Sequence, residues 1–137
     1  MGLHQRDLTG FAVARTNRAA RGRVAQLAGA LAEDMVLARY LADGYRLLER
    51  RWRGQAGEID LIMQHGDCLI FVEVKQSVSH AAAAERLGRS QMRRICMAGC
   101  EFCARQPQGQ LSEMRFDVAL VDGIGRVEVM ENAFGEC

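Results

Sequence analysis

Two short β-rich runs joined by a polar turn constrain the fold of this chain more than any other feature of its sequence. Residues Ile59–Met63 and Leu69–Val74 are mainly apolar and β-branched, and the turn between them contains Gly66-Asp67. If these two residues form the turn, His65 lies opposite Cys68 and sets the register of every later pair. The sequence therefore predicts an antiparallel hairpin of defined register.

Charged side chains interrupt both runs of this hairpin. In the register set by the turn, Asp60 lies opposite Glu73, and Glu58 lies opposite Lys75. Side chains alternate between the two faces of a strand, so these four project from one face, and the Cβ atoms of opposed residues lie about 4.5–5.5 Å apart. The hairpin is thus predicted to bring three carboxylates and one ammonium group together.

This arrangement is typical of a divalent metal site. Two carboxylates at such a distance repel each other unless they share a proton or bind a hard cation such as Mg²⁺ or Mn²⁺. A bound cation lowers the pKa of a water ligand and neutralises charge on a phosphate, as phosphodiester hydrolysis requires. Lys75 is the one lysine among 18 basic residues, and its compact ammonium could orient that water.

A second interpretation needs no metal. Glu58 and Lys75 could form a cross-strand ion pair, with Asp60 and Glu73 pointing into solvent from an open sheet face. The acidic pair and the lysine coincide on one face between apolar neighbours, where uncompensated carboxylates are costly. This coincidence favours the metal site.

The rest of the sequence predicts helices and strands around the hairpin. Apolar residues recur at three- and four-residue steps over Val24–Leu41 and over Glu85–Arg105, which indicates amphipathic helices. Further strands are predicted at Tyr45–Arg53, Phe116–Val121 and Arg126–Met130. The predicted order is α-β-β-β-α-β-β, an α/β fold with a mixed β-sheet flanked by helices.

Length and charge distribution predict one domain preceded by a basic arm. The 137 residues fit a single domain, which we place at residues 23–137. Residues 1–22 lack apolar periodicity and include Arg18 and Arg21, so they are expected to be a flexible arm that folds on a partner, or an ordinary frayed terminus. The first 53 residues contain ten arginines and five acidic residues, which favours a phosphate-binding surface there.

The apolar stretches of the sequence predict no membrane span. All of them fall far short of the ~20 residues that cross a bilayer. The N-terminal residues do not resemble a signal peptide, so a cytoplasmic location is expected.

Five cysteines, an odd number, favour reduced thiols in such a location. Cys96, Cys100 and Cys103 have the C-x3-C-x2-C spacing of a 4Fe–4S site. The same spacing places three small apolar side chains on one face of a helix. The second interpretation is favoured, because the radical enzymes that use this motif are far longer chains.

Two motifs of the hairpin, GEIDLI at residues 57–62 and FVEVK at residues 71–75, resemble the signature of the PD-(D/E)XK nuclease superfamily. The wider pattern over residues 29–134 resembles its YraN-like branch, which is similar to archaeal Holliday junction resolvases. Further matching segments are Ala32-Glu33, Ala38–Leu41, Gly44-Tyr45, Arg50–Arg53, Arg93–Ile95, Arg115–Val118 and Asn132–Phe134. The resemblance implies a restriction-endonuclease-like fold.

The resemblance also implies a catalytic centre. Asp60 and Glu73 would be ligands of Mg²⁺ or Mn²⁺, with the Val74 carbonyl as a third. Lys75 would be the catalytic lysine. Glu33, on the first helix, would reach the same metal or its water.

The residues expected around this centre follow the family pattern in part. Glu58 would line the site, and Arg51 and Arg53 could bind DNA phosphates. Family members commonly have a basic residue where this chain has Gln91, and another shortly after the lysine, where this chain has Gln76-Ser77. Phosphate contacts at those two points are expected to be weaker.

The resulting hypothesis is a metal-dependent DNA endonuclease, a hydrolase that acts on branched or junction DNA. Resolution of a junction cuts two strands, so a homodimer is expected if junctions are the substrate. The alternative is a non-catalytic module that binds nucleic acid or protein and retains the nuclease fold. Cleavage that depends on Glu73 distinguishes the two.

Overall fold

A five-stranded mixed sheet lies at the centre of the fold in the computed structural model. The structure describes residues 2–76, 88–107 and 113–134, with side chains from residue 18 onward. The strands are β1 (Arg46–Arg53), β2 (Glu58–His65), β3 (Cys68–Gln76), β4 (Glu113–Val121) and β5 (Val127–Met130), in the spatial order β1-β2-β3-β4-β5. Strands β3 and β4 are parallel, and all other neighbours are antiparallel.

Two helices pack on opposite faces of this sheet. The C-terminal part of α1 (Gly2–Ala42) buries Ala32, Val36 and Tyr40 against one face. Helix α2 (Arg89–Ala104) buries Ile95, Ala98, Phe102 and Cys103 against the other face. The predicted element order and the α/β class are confirmed, and the architecture is consistent with a restriction-endonuclease-like fold.

Helix α1 is longer than the sequence predicts, because it begins at Gly2 instead of Val24. Residues 2–23 lack amphipathic spacing, but they are rich in alanine and arginine, which favour a helix, and they contain no proline. The chain divides into two compact units, Met1–Leu31 and Ala32–Cys137. Flexibility of the arm at residues 1–22 stays a prediction.

The hairpin of β2 and β3 has the predicted register near its turn. Pairs run from His65 with Cys68 to Leu61 with Val72. The backbone pairs end there. The placement of Asp60 opposite Glu73, and of Glu58 opposite Lys75, stays a prediction. Just beyond the last pair, the Asp60 carboxylate accepts a hydrogen bond from the main-chain N–H of Val74.

The three cysteines of the C-x3-C-x2-C pattern differ in their surroundings. Cys103 is buried, Cys100 is exposed, and the two side chains are free thiols. Cys96 is disulfide-bonded, so the expectation of reduced thiols is wrong for this residue. Among the described residues, no group of three or more His, Cys, Asp or Glu side chains is arranged to hold a metal.

Within the described ranges, no helix combines the length and apolar character needed to cross a membrane.

Candidate metal centre

A cleft of about 340 Å³ opens at the end of the sheet where β2 begins and β3 ends, beside the first turns of α2. Its lining residues are Gly57, Glu58, Asp60, Glu73, Gln91, Arg94 and Ile95. Three of them are the carboxylates that the hairpin register placed on one face. The structure therefore brings Glu58, Asp60 and Glu73 to one cleft, although the main-chain ladder does not extend to them.

Asp60 is held in place by the neighbouring strand. Its Oδ2 atom accepts a hydrogen bond of 2.8 Å from the main-chain N–H of Val74. Burial and the nearby Glu73 carboxylate raise the pKa of Asp60 to about 7 from its ordinary value of 3.8. Placing a negative charge here is therefore costly unless a cation compensates it.

Glu73 is buried, with 7% of its surface exposed, and two donors share one of its oxygens. The Nζ atom of Lys75 lies 3.1 Å from Glu73 Oε1, and the Gln91 side-chain amide donates to the same oxygen at 2.9 Å. Burial raises the pKa of Glu73, although the Lys75 ammonium opposes this shift. Lys75 and Gln91 thus fix the orientation of a carboxylate that burial alone would tend to protonate.

The donors present fit a hard divalent cation that keeps several water ligands. Mg²⁺ is commonly bound through one or two carboxylates with waters completing its octahedron, and Asp60 with Glu73 supplies two. The family resemblance implies the Val74 carbonyl as a third ligand. The main-chain N–H of the same residue donates a hydrogen bond to Asp60. Glu58 also lines the cleft, but among the described residues no three His, Cys, Asp or Glu side chains are arranged to hold one metal together.

Glu33 is placed near the cleft but is bound by arginines. Its Oε1 atom lies 3.0 Å from Arg51 Nε and 3.6 Å from Arg50 Nε. The Glu33 charge still contributes to the raised pKa of Asp60. A role of Glu33 at the metal or its water stays a prediction.

An unusual backbone conformation lets β1 present two arginines to Glu33. Arg51 has φ of 52°, in the left-handed region. Next along the strand, Trp52 packs with Phe102 of α2 on the opposite face of the sheet, at a ring distance of 5.4 Å. The left-handed residue therefore lets Arg50 and Arg51 reach Glu33, while Trp52 packs on the other face of the sheet.

The predicted nucleic-acid contacts occupy different surroundings. Arg53 is highly exposed and lies 3.2 Å from Glu58 at the rim of the cleft, whereas Arg51 is bound by Glu33. Arg18 and Arg21 are exposed residues of the first unit. The DNA-binding roles of these four arginines and of Gln91 stay predictions.

Glu101 is a positioning residue that sequence patterns did not identify. Its carboxylate accepts main-chain hydrogen bonds from Gln55 at 2.8 Å and Ala56 at 2.7 Å, which lowers its pKa. These bonds fasten the loop before β2 to α2. Because Gly57 and Glu58 follow directly, the tie fixes one wall of the cleft.

Arg94 also lines the cleft, although no sequence motif indicates a role for it. It lies three positions after Gln91, so both side chains share one face of α2. That spacing was a usable signal, because Gln91 itself was a candidate site residue. The sequence contains six further arginines after residue 85, and periodicity alone does not distinguish Arg94 from them.

Comparisons with known proteins identify relatives over most of the chain. Residues 32–121 match the model of "Uncharacterised protein family UPF0102". A UPF0102 protein of Ruegeria pomeroyi is 59% identical over 117 residues, which cover 85% of this chain and 95% of the relative. A UPF0102 protein of Cereibacter sphaeroides is 57% identical over 113 residues (82% and 97%), and one of Dinoroseobacter shibae is 46% identical over 132 residues (96% of each).

Proposed function

The chain belongs to the UPF0102 family, and we propose that it is a divalent-metal-dependent endonuclease that hydrolyses phosphodiester bonds in DNA. One observation carries the proposal. Two carboxylates with raised pKa values, Asp60 and Glu73, line an open cleft together, and the ammonium of Lys75 lies 3.1 Å from one of them. This combination of charges is costly for folding alone and useful for phosphate chemistry.

Asp60 and Glu73 would hold the metal, with the Val74 carbonyl as a further ligand. When bound, Mg²⁺ or Mn²⁺ supplies a water of lowered pKa and positive charge for the phosphate. Gln91 keeps Glu73 oriented through its amide, so the carboxylate does not turn away when the cleft is empty of cations. The two raised pKa values are expected to fall on metal binding, since a cation favours the ionised form.

Lys75 is the residue proposed to act on the reacting groups. Its side chain is 19% exposed and its ammonium lies next to Glu73, where it can orient the attacking water and neutralise charge on the pentavalent transition state. In-line attack on phosphorus would break the P–O3′ bond and leave a 5′-phosphate and a 3′-hydroxyl, as the superfamily resemblance implies. A cytoplasmic location, branched DNA as the substrate and a homodimer belong to the same proposal.

The decisive experiment is cleavage of labelled four-way junction, flap, single-stranded and linear duplex DNA in Mg²⁺ and in Mn²⁺. The protein is compared with Glu73→Ala, and with Glu113→Ala as a matched carboxylate control. Glu113 begins β4 and pairs with Cys68 at the far end of the sheet. Metal-dependent cleavage should disappear in Glu73→Ala and persist in Glu113→Ala.

The same experiment tests the alternative of a non-catalytic module. Binding of DNA without cleavage in either metal, unchanged by Glu73→Ala, would contradict the nuclease proposal and favour a DNA-binding module. Cleavage that survives in Glu73→Ala would instead indicate a contaminating nuclease.

A further inference from the structure

We propose that Arg94 binds the DNA phosphate that enters the cleft, as a direct ligand of the substrate. This inference deepens the proposed nuclease function and rests on it. Arg94 lines the same cleft as Asp60 and Glu73, yet none of the contacts that hold the carboxylates in place involves it.

Helix α2 fixes the direction of the Arg94 side chain. Ile95 is 3% exposed and anchors this turn of the helix in the core, and Gln91 bonds Glu73 one turn earlier. Arg94 therefore lies on the cleft side of α2. Its neighbour Arg93 lies on a different surface, a groove shared with Met97 and Cys100.

The charges around the cleft leave Arg94 available. Lys75 is paired with Glu73, and Arg53 is paired with Glu58. In contrast, Arg94 forms no ion pair with any residue that the structure describes. The Arg94 guanidinium therefore remains available in the cleft, and we expect it to bind an anion that enters from solvent.

The size of the cleft leaves room for that anion. A divalent cation with six oxygen ligands occupies on the order of 180 Å³ if each ligand takes the ~30 Å³ of a water molecule. The cleft measures about 340 Å³, so it can accept a phosphate and part of its sugar beside the metal.

Charge balance favours a phosphodiester as the occupant. A divalent metal would offset the carboxylates of Asp60 and Glu73, and Arg53 offsets Glu58. Lys75 then no longer balances Glu73, so Lys75 and Arg94 remain as positive groups. A phosphodiester carries one negative charge and develops a second in the transition state. The planar guanidinium of Arg94 suits bidentate contact with two phosphate oxygens, whereas Lys75 acts as a point charge.

The test is DNA binding by the full chain in Ca²⁺, with a fluorescein-labelled four-way junction and anisotropy measured over a range of salt concentrations. Arg94→Ala is compared with Arg93→Ala, which removes the same charge one residue away on the other surface. We expect Arg94→Ala to weaken binding about tenfold and to reduce the salt slope by about one, while Arg93→Ala changes the affinity less than about threefold. Arg94→Lys should retain the salt slope and recover only part of the affinity, since it lacks the fork.

Two further measurements, the rise in Tm caused by Mn²⁺ and DNA cleavage by the unaltered chain, distinguish failure of this inference from failure of the proposed function. The rise in Tm caused by Mn²⁺ should be equal in the Arg94→Ala and Arg93→Ala proteins, which shows that the fold and the carboxylate pair are intact. Equal losses of DNA binding in the two variants, no loss in Arg94→Ala, or no DNA binding by the unaltered chain would overturn the inference. A selective loss in Arg94→Ala, with no cleavage by the unaltered chain, would support the phosphate site and contradict the nuclease.

Discussion

The Asp60 carboxylate accepts the Val74 N–H at 2.8 Å, just beyond the last backbone pair between β2 and β3. A side chain thus replaces the main-chain carbonyl that would continue the ladder. The exchange fixes Asp60 beside Glu73 and leaves both carboxylates facing an open cleft. At this end of the hairpin, a hydrogen bond to a carboxylate therefore takes the place of regular β pairing.

Asp60→Asn should abolish metal-dependent DNA cleavage and stabilise the metal-free fold at pH 8. The amide oxygen can still accept the Val74 N–H, while the repulsion from Glu73 and the burial of a charge disappear. We expect a gain on the order of 2 kcal/mol in the free energy of unfolding, measured by urea denaturation in EDTA. A loss of stability would show that the Asp60 charge is compensated within the chain.

The stability of the metal-free protein should fall as pH rises from about 4 to about 7. The pKa of Asp60 is about 7 in the folded state and 3.8 ordinarily, so the folded state binds more protons across this interval. Glu73, whose pKa is also raised, contributes with the same sign. Urea denaturation at several pH values in EDTA measures the slope, and Asp60→Asn should flatten it. An equal slope in the variant would contradict the assignment to Asp60.

Glu33→Gln should weaken Mn²⁺ binding less than Asp60→Asn does. Arg50 and Arg51 already engage the Glu33 carboxylate, so it is expected to act through charge and water instead of direct ligation. Calorimetric titration with Mn²⁺ should show a loss of about tenfold for Glu33→Gln, typical of an indirect contact, and no measurable binding for Asp60→Asn. Equal losses in the two variants would make Glu33 a direct ligand.

The sequence predicted the sheet and the acidic hairpin because both depend on local patterns. The Gly66-Asp67 turn and the alternation of apolar residues fix the register near the turn, and the structure confirms it from His65 to Leu61. The ladder ends before Asp60, where a side-chain carboxylate accepts the Val74 N–H. Rules for strand pairing do not predict where a side chain will act as the hydrogen-bond acceptor in place of a main-chain carbonyl.

The positions of Glu101 and Arg51 could not be predicted from the sequence, and that of Arg94 only from its three-residue spacing to Gln91. Glu101 and Arg94 meet the hairpin only when α2 packs on the sheet, over sequence distances that periodicity does not specify. Arg51 requires a left-handed backbone, which an arginine does not signal. The positions of these three residues are therefore set by tertiary packing.

The segments that match the family include both residues of the cleft and residues that stabilise the fold, and the sequence does not distinguish the two kinds. Tyr40, Tyr45, Arg115, Asp117 and Asn132 all lie in its matching segments, and the structure joins them in one hydrogen-bond network. None of the five lines the cleft. Their motifs therefore report on the fold, whereas the acidic hairpin reports on the proposed chemistry.

Tyr40→Phe should destabilise the fold without changing metal binding. Asp117 is fully buried; it accepts hydrogen bonds from the Tyr40 hydroxyl at 2.7 Å and from two nitrogens of Arg115 at 2.9 Å each. Loss of the Tyr40 bond to this buried charge should cost about 1.5–3 kcal/mol in the free energy of unfolding. Asp117→Ala should cost about 3–5 kcal/mol, because it leaves the Arg115 guanidinium without its main partner.

Tyr45→Phe is the matched control for this prediction. The Tyr45 hydroxyl accepts from Arg115 at 2.9 Å on the partly exposed side of the network, so its loss should cost about 0.5–1.5 kcal/mol. Urea denaturation ranks the three variants, and calorimetric titration with Mn²⁺ should give one affinity for all of them. Equal costs for Tyr40→Phe and Tyr45→Phe would contradict the special role of the buried bond. A change in Mn²⁺ affinity would show that this network supports the cleft as well as the fold.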